Sequence, residues 1–132
     1  MKIIEDKFLP SHFVKRYEDI TPEFLRAHNI KAVMTDLDNT LVAFDAADAD
    51  DNVLKWIKTL NESNIKLLIL SNGNKKRVSA FAEPHGIEYI AEAKKPMLGN
   101  FHQGLKLLGT KKKNTIMVGD QLMTDILGAN RA

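Results

Sequence analysis

Cysteine is absent from the 132-residue sequence, which excludes disulfide bonds and thiolate metal sites. Apolar runs stay far below the roughly 20 residues that a membrane-spanning helix needs, and charges interrupt the N-terminal stretch too often for a signal peptide. Neither sign of charge dominates, because 19 basic and 17 acidic residues leave a net charge of only +2. This balance gives no argument for a nucleic-acid partner. We therefore expect a soluble protein, and the lack of cysteine is compatible with a cytoplasmic location.

Glycine and proline are also scarce, with 7 and 4 residues, and no linker rich in them divides the chain. Hydrophobic residues make up 44% of the sequence, which suffices for one compact core. We therefore expect a single domain over residues 1–132. Residues 1–20 are hard to assign, and we interpret them as an N-terminal arm that lies on this domain.

Four segments predict strands, at residues 31–36, 65–71, 87–90 and 114–120, and the apolar character of the first two predicts that these are buried. Segments with helical spacing alternate with them. Thr21 and Pro22 suit the start of a first helix, and the helix after the first predicted strand places Trp56 in the core. This alternation favours βαβ units, and so an α/β domain with a mostly parallel sheet.

Polar residues follow each predicted strand at its carboxyl end. They are Asp36 and Asp38, then Ser71 and Asn72, then Lys94 and Lys95, and finally Asp120. In a parallel sheet these ends lie along one rim, where ligands bind. We therefore expect the four groups to converge on one site.

The acids of this rim suggest a metal ion. Asp36 and Asp38 point to the same side of an extended chain, and two carboxylates so close would repel each other unless a cation lay beside them. Asp120 adds a third acid from another strand. Carboxylate oxygens favour a hard ion, and the sequence offers neither cysteine nor suitably spaced histidine for a softer one. Mg²⁺ is therefore the natural candidate.

The other strand ends supply groups that bind an anion. Ser71 offers a hydroxyl, aided by Asn72 and nearby backbone N–H groups, and Lys95 offers a positive charge. With Mg²⁺, this set suits a phosphoryl group. Asp36 could then attack phosphorus, and Asp38 could protonate the leaving oxygen and later deprotonate water.

Each motif alone also fits a simpler interpretation. Aspartate and asparagine favour turns, so "DLDNT" could be only an acidic turn. If it is a reaction centre, we expect Thr40 to support it by shaping the loop that holds the two acids. The segment Ser71-Asn72-Gly73 could be an ordinary loop. Asp125 could lie on an exposed helix face, although it follows Asp120 closely enough to reach the same end of the helix.

Taken together, the motifs resemble those of the haloacid dehalogenase (HAD) superfamily of phosphotransferases. "DLDNT" matches its DxDxT motif, Ser71 its second motif, Lys95-Pro96 its third and "GDQLMTD" its fourth. The closer resemblance is to the YqeG-type proteins of subfamily IIIA, through "FLPSHFV", "SNGNKKRV" and "GDQLMTDILGANR". It implies a three-layer αβα, Rossmann-like fold with phosphatase activity.

The resemblance also implies a role for each site residue. Asp36 would be the nucleophile and a metal ligand, and Asp38 the acid/base whose backbone carbonyl binds Mg²⁺. Ser71 and Lys95 would hold the phosphoryl oxygens, Asp120 would be a metal ligand, and Asp125 a supporting acid.

The short connections after the first and third predicted strands leave no room for a cap domain. An open site suits a large or surface-presented substrate, such as a phosphorylated lipid, nucleic acid or protein. Phosphatidylglycerophosphate is the leading specific candidate because some relatives of the subfamily act on it, and it would add a peripheral membrane location.

One departure concerns the last strand. HAD domains usually have another strand after the helix that follows the fourth motif, and this sequence stops before it. We therefore expect the sheet to expose an edge beside "TIMV", which a homodimer or another partner would cover.

Two other classes of protein compete with the phosphatase. A non-catalytic binding or scaffold protein could keep the fold without turnover. A receiver-type phosphoacceptor domain also uses an aspartate, Mg²⁺, a hydroxyl and a lysine, but its acceptor aspartate follows a middle strand, where this sequence has Ser71.

Overall fold

The computed structural model describes residues 12–38, 40–42, 50–94 and 97–129, and it leaves the side chains of residues 120, 125 and 127–129 undescribed. These residues form five strands and five α-helices. The strands are β1 (His12–Val14), β2 (Ala32–Thr35), β3 (Lys66–Leu70), β4 (Glu88–Ile90) and β5 (Thr115–Val118). The helices are α1 (Pro22–Ala27), α2 (Asp51–Glu62), α3 (Lys75–Ala82), α4 (Met97–Leu108) and α5 (Asp120–Ala129).

The five strands form one sheet in the order β1-β5-β2-β3-β4, and all neighbouring pairs are parallel. The chain runs outward from β2 through β3 to β4 and then crosses back to β5 on the other side of β2. The strand order therefore reverses between β2 and β5. In open α/β sheets, ligands bind at the carboxyl ends of the strands beside such a reversal.

Helices cover both faces of the sheet and give the predicted three layers. Successive side chains of each strand point to opposite faces of the sheet, so the core is divided into two parts, one on each face. Val33 and Ile69 pack with residues of α1, α2 and α3, whereas Met34 and Leu68 pack with residues of α4 and α5. The predicted α/β fold with a parallel sheet is confirmed.

Local sequence signals explain where the helices begin. The Thr21 side chain accepts a hydrogen bond from the Phe24 N–H, and Pro22 occupies the first helical position of α1. Asp50 caps α2 in the same way, because its carboxylate accepts the Val53 N–H at 3.0 Å. Trp56 is buried in the core, as predicted.

The predicted open edge beside "TIMV" is wrong. Strand β1 pairs with β5 along that edge, with His12 opposite Ile116 and Val14 opposite Val118. Part of the segment interpreted as an arm therefore belongs to the sheet, and the reason for a homodimer at this edge disappears. Residues 1–11 of the predicted arm lie outside the described residues.

The two connections that could hold a cap are short. Strand β2 ends at Thr35 and α2 begins at Asp51, while β4 ends at Ile90 and α4 begins at Met97. The described part of the chain contains no cap domain. Among the same residues, no helix is long and apolar enough to cross a membrane.

Candidate active site

Asp36 lies immediately after β2, at the point where the strand order reverses. Its backbone N–H donates to the Val118 carbonyl at 3.3 Å, which ties it to the neighbouring strand β5. Its Oδ1 accepts the Leu37 N–H at 2.7 Å. Only 7% of the residue is exposed, although carboxylates are costly to bury. A nearly buried, fixed carboxylate at this rim is typical of a functional group rather than of a solvated turn.

Asp38 forms an ion pair with Arg77 across the rim. Both Nε, at 3.0 Å, and Nη2 of Arg77 donate to the same carboxylate oxygen, Oδ1. This hydrogen bond raises the pKa of the Arg77 guanidinium still further, so the side chain stays charged. The side chains of Asp38 and Arg77 are 27% and 33% exposed, respectively, so the pair is accessible from solvent but partly enclosed.

The sequence analysis did not identify Arg77. The segment "NKKRV" looks like an ordinary charged helix surface. One signal could have revealed it: Lys75, Lys76 and Arg77 lie in the first turn of α3, where the positive end of the helix dipole disfavours cations. Three cations at such a position indicate that an anion lies nearby.

Ser71 begins the loop between β3 and α3, and it is 1% exposed. Its backbone N–H donates to the Ile90 carbonyl and its carbonyl accepts the Ala93 N–H, both at 3.0 Å. Its Oγ accepts the Gly73 N–H at 3.0 Å. The hydroxyl is therefore held at the rim by bonds to the next strand and to its own loop. Asn72 is exposed on the same loop.

Gly73 shows how close the Ser71 loop comes to the acids. A Cβ atom built on Gly73 would lie 3.2 Å from Ser71 Oγ and 3.9 Å from Asp38 Oδ2. Asp38 Oδ2 therefore faces the loop that carries the hydroxyl. The structure brings together Asp38 and Ser71, as the strand-end argument predicted.

The carboxyl end of β5, the fourth of the predicted strands, also reaches this rim. Gly119 follows β5 with φ at +123°, and a Cβ built on it would lie 3.4 Å from the Asp36 Cβ and 3.3 Å from Thr40 Oγ1. Thr40 thus lies beside Gly119 and Asp36, and its role in shaping the loop stays a prediction. Asp120 is the first residue of α5 and follows directly.

The remaining predicted residues lie, entirely or by their side chains, outside the described part of the chain. Lys95 lies outside the described residues, although Lys94 is held by a hydrogen bond from Asn100 Nδ2 to its carbonyl at 2.6 Å. The side chains of Asp120 and Asp125 are also undescribed. Among the side chains that are described, no group of three acids or histidines could hold a metal ion. The metal site therefore stays a prediction.

Comparison with known proteins decides the family. The profile of the haloacid dehalogenase-like hydrolases matches residues 12–132. The chain belongs to this family. It is also 45% identical over 124 residues to the Bacillus subtilis (strain 168) protein named Probable phosphatase YqeG, a match that covers 94% of this chain and 72% of that protein.

Solved structures share the fold of this HAD-family chain. The cobalt-bound deoxy-D-mannose-octulosonate 8-phosphate phosphatase (YrbI) of Haemophilus influenzae superposes with a TM-score of 0.64 at 22% identity, covering 79% of this chain and 67% of that one. A HAD superfamily (subfamily III A) hydrolase from Legionella pneumophila gives a TM-score of 0.60 at 21% identity, covering 79% and 65%. At these identities the likeness establishes the fold.

These matches confirm the family predicted from the four motifs and its enzyme class, a HAD-type phosphatase. They do not assign a substrate to this chain.

Proposed function

We propose that this HAD-family chain hydrolyses a phosphate monoester with Mg²⁺ and through an aspartyl-phosphate on Asp36. The observation that carries the proposal is the placement of Asp36, which is nearly buried at the carboxyl end of β2 and fixed by backbone hydrogen bonds. Asp38 and the Ser71 hydroxyl lie on the same rim. A nucleophile, an acid/base and a hydroxyl are the groups that phosphoryl transfer to an aspartate requires.

The proposed reaction has two steps. An Asp36 oxygen attacks phosphorus while the bond to the leaving oxygen breaks, and protonated Asp38 gives its proton to that oxygen so that an alcohol departs. Asp38, now a carboxylate, then takes a proton from water. The resulting hydroxide attacks phosphorus, releases inorganic phosphate and restores Asp36.

The residues at the rim fit a magnesium ion. They provide carboxylate and carbonyl oxygens, and the sequence contains no cysteine that would favour a softer metal. Asp36, the Asp38 backbone carbonyl and Asp120 would hold the ion. Bound there, Mg²⁺ would supply positive charge beside the phosphoryl oxygens. Ser71 and Lys95 would bind the same oxygens, while Asp125 would support the metal ligands.

The open rim supports a large or surface-presented substrate, because the described part of the chain has no cap to enclose a small one. Lys75, Lys76 and Lys94 are exposed on segments next to the Ser71 loop, where they would attract a polyanionic molecule or surface. A phosphorylated lipid such as phosphatidylglycerophosphate fits these features, with the enzyme working at the membrane surface.

A screen for hydrolysis with and without Mg²⁺ tests the proposal. It should include p-nitrophenyl phosphate, a nucleotide, a phosphopeptide and a phosphatidylglycerophosphate vesicle. We expect Mg²⁺-dependent release of phosphate that Asp36→Asn abolishes. Asp36→Asn keeps the shape of the side chain and so separates chemistry from folding. Full activity in this variant would exclude Asp36 as the nucleophile.

A further inference from the structure

Arg77 makes a contact that the proposed mechanism does not use. Two of its donors, Nε and Nη2, converge on a single oxygen, Asp38 Oδ1, and none of the hydrogen bonds found between the two side chains involves Oδ2. Hydrogen bonds between two charged groups are roughly twice as strong as neutral ones. Two such donors on one oxygen fix the rotation of the carboxylate group.

The backbone of Arg77 is itself fixed. Its N–H donates to the Asn74 side chain at 2.8 Å, so the residue lies in the capped first turn of α3. That turn follows the Ser71 loop directly. The guanidinium therefore reaches Asp38 from the element that also positions the hydroxyl, and it joins segments that are 39 positions apart in sequence.

The second carboxylate oxygen of Asp38 faces the Ser71 loop. Oδ2 lies 3.9 Å from the position that a Gly73 Cβ would occupy, and Ser71 Oγ lies 3.2 Å from the same position. Oδ2 and the hydroxyl thus flank one small space at the rim. The absence of a side chain at Gly73 keeps this space open.

We propose that Arg77 is a positioning residue for the acid/base, holding Asp38 Oδ1 so that Oδ2 faces the leaving oxygen of the substrate beside Ser71. The inference rests on the proposed function, in which Asp38 transfers the proton. When Oδ2 carries that proton, Oδ1 is a carbonyl oxygen and still accepts from Arg77. The guanidinium therefore holds the group while the alcohol departs. Release of the alcohol is the last step that kcat/KM reports, so kcat/KM separates proton donation from the later hydrolysis that all substrates share.

Proton donation matters most when the leaving group is a poor one. An alkyl phosphate releases an alkoxide that must be protonated, whereas p-nitrophenyl phosphate releases a stable phenolate. A residue that aims the acid should therefore matter for the first substrate and little for the second. A residue that binds phosphate should change KM for both.

The test compares Arg77→Met and Arg77→Lys with the wild type on glycerol phosphate and p-nitrophenyl phosphate. We expect Arg77→Met to lower kcat/KM on the alkyl ester by about 10- to 100-fold, part of the roughly 10²- to 10⁴-fold that general acid catalysis supplies. On p-nitrophenyl phosphate the loss should stay below about threefold, since little proton donation is needed there. Arg77→Lys should recover part of the alkyl activity, because it keeps one charged donor.

Lys58→Met is the control, since it removes an exposed cation from α2, a helix that carries no residue of the proposed site. It should leave the ratio of the two activities unchanged. The double variant Asp38→Asn/Arg77→Met should lose no more alkyl activity than Asp38→Asn alone, because Arg77 acts through Asp38.

Other outcomes would overturn the inference. Equal losses of kcat/KM on both esters would assign Arg77 a different role. Additive losses in the double variant would do the same. These results are distinguishable from a failure of the proposed function, in which Asp36→Asn would retain activity. Urea unfolding of the Arg77→Lys variant shows whether the protein whose activity is compared with the wild type is folded.

Discussion

Gly119 lies directly against Asp36, and a Cβ atom at Gly119 would come within 3.4 Å of the Asp36 Cβ. The glycine has φ at +123°, a conformation that other residues adopt only with strain. It follows β5 and precedes Asp120, so it joins the predicted metal ligand to the strand beside Asp36, the proposed nucleophile. The glycine of the fourth motif therefore has a structural task, which is to let two strand ends approach each other.

We expect Gly119→Ala to reduce both stability and activity. Backbone strain of this kind costs on the order of 1–3 kcal/mol, and the new methyl group would also press on Asp36 and Thr40. Urea unfolding measures the first effect and kcat on p-nitrophenyl phosphate the second. The matched control is Gly99→Ala, because Gly99 is exposed in α4 with no atom near its Cβ position. If Gly119→Ala behaved like this control, the close approach would not constrain the site.

Ser71 offers a separation between a structural and a catalytic effect. Ser71→Ala removes the acceptor of the Gly73 N–H, and a lost hydrogen bond of this kind costs about 1 kcal/mol in the free energy of unfolding. Ser71→Ala also removes a proposed hydrogen-bond donor to the phosphoryl group, and this loss should lower kcat/KM by roughly 10²-fold. Ser79→Ala, which removes a bond within α3, serves as the control. A fall in stability without a fall in kcat/KM would leave Ser71 only the structural task.

The placement of Asp36 and Ser71 at one rim was predictable because it depends on topology alone. Asp36 and Ser71 follow strands that the apolar pattern identifies, and parallel strands bring their carboxyl ends to one rim whatever their exact register. The cap at Thr21 was also predictable, because it depends on a hydrogen bond to a residue only three positions away.

Two features were not predictable for physical reasons. Strand β1 has three residues, His12–Val14, which is too short for a period of two to stand out, and its place in the sheet depends on pairing with the distant β5. The Arg77–Asp38 pair depends on the direction of two side chains that are far apart in sequence. Local patterns carry information on propensity and burial, but not on which distant partner a side chain meets.

Metal removal tests the proposed cofactor by two independent readouts. We expect EDTA to abolish phosphate release and Mg²⁺ to restore it, whereas Ca²⁺, which prefers more ligands at longer distances, should not. Mg²⁺ should also stabilise the folded protein, by about 2.7 kcal/mol at a concentration 100-fold above its Kd. Asp120→Asn should weaken this stabilisation. Two results together would contradict the magnesium site: the wild type keeps its activity in EDTA, and its free energy of unfolding does not change with Mg²⁺ up to millimolar concentrations.

Gly104 gives a prediction that concerns packing alone. It lies in α4 against the centre of the sheet, where a Cβ would come within 2.8 Å of Met34 Cε and 3.1 Å of Leu68 Cδ2. Both of these side chains are fully buried, so they have little room to move. Gly104→Ala should therefore destabilise the protein by about 1–3 kcal/mol, the usual cost of overpacking, despite the better helix propensity of alanine.

The same substitution at Gly99 should stabilise the fold by up to about 1 kcal/mol, because helix propensity acts there without a steric cost. The difference in urea midpoint between the two variants measures the steric cost of the close contact of α4 with β2 and β3. Since Gly104 lies away from the rim, kcat of the folded Gly104→Ala protein should stay near that of the wild type. Equal stability of the two variants would mean that Met34 can move aside, and that this layer of the core is packed less tightly than the structure indicates.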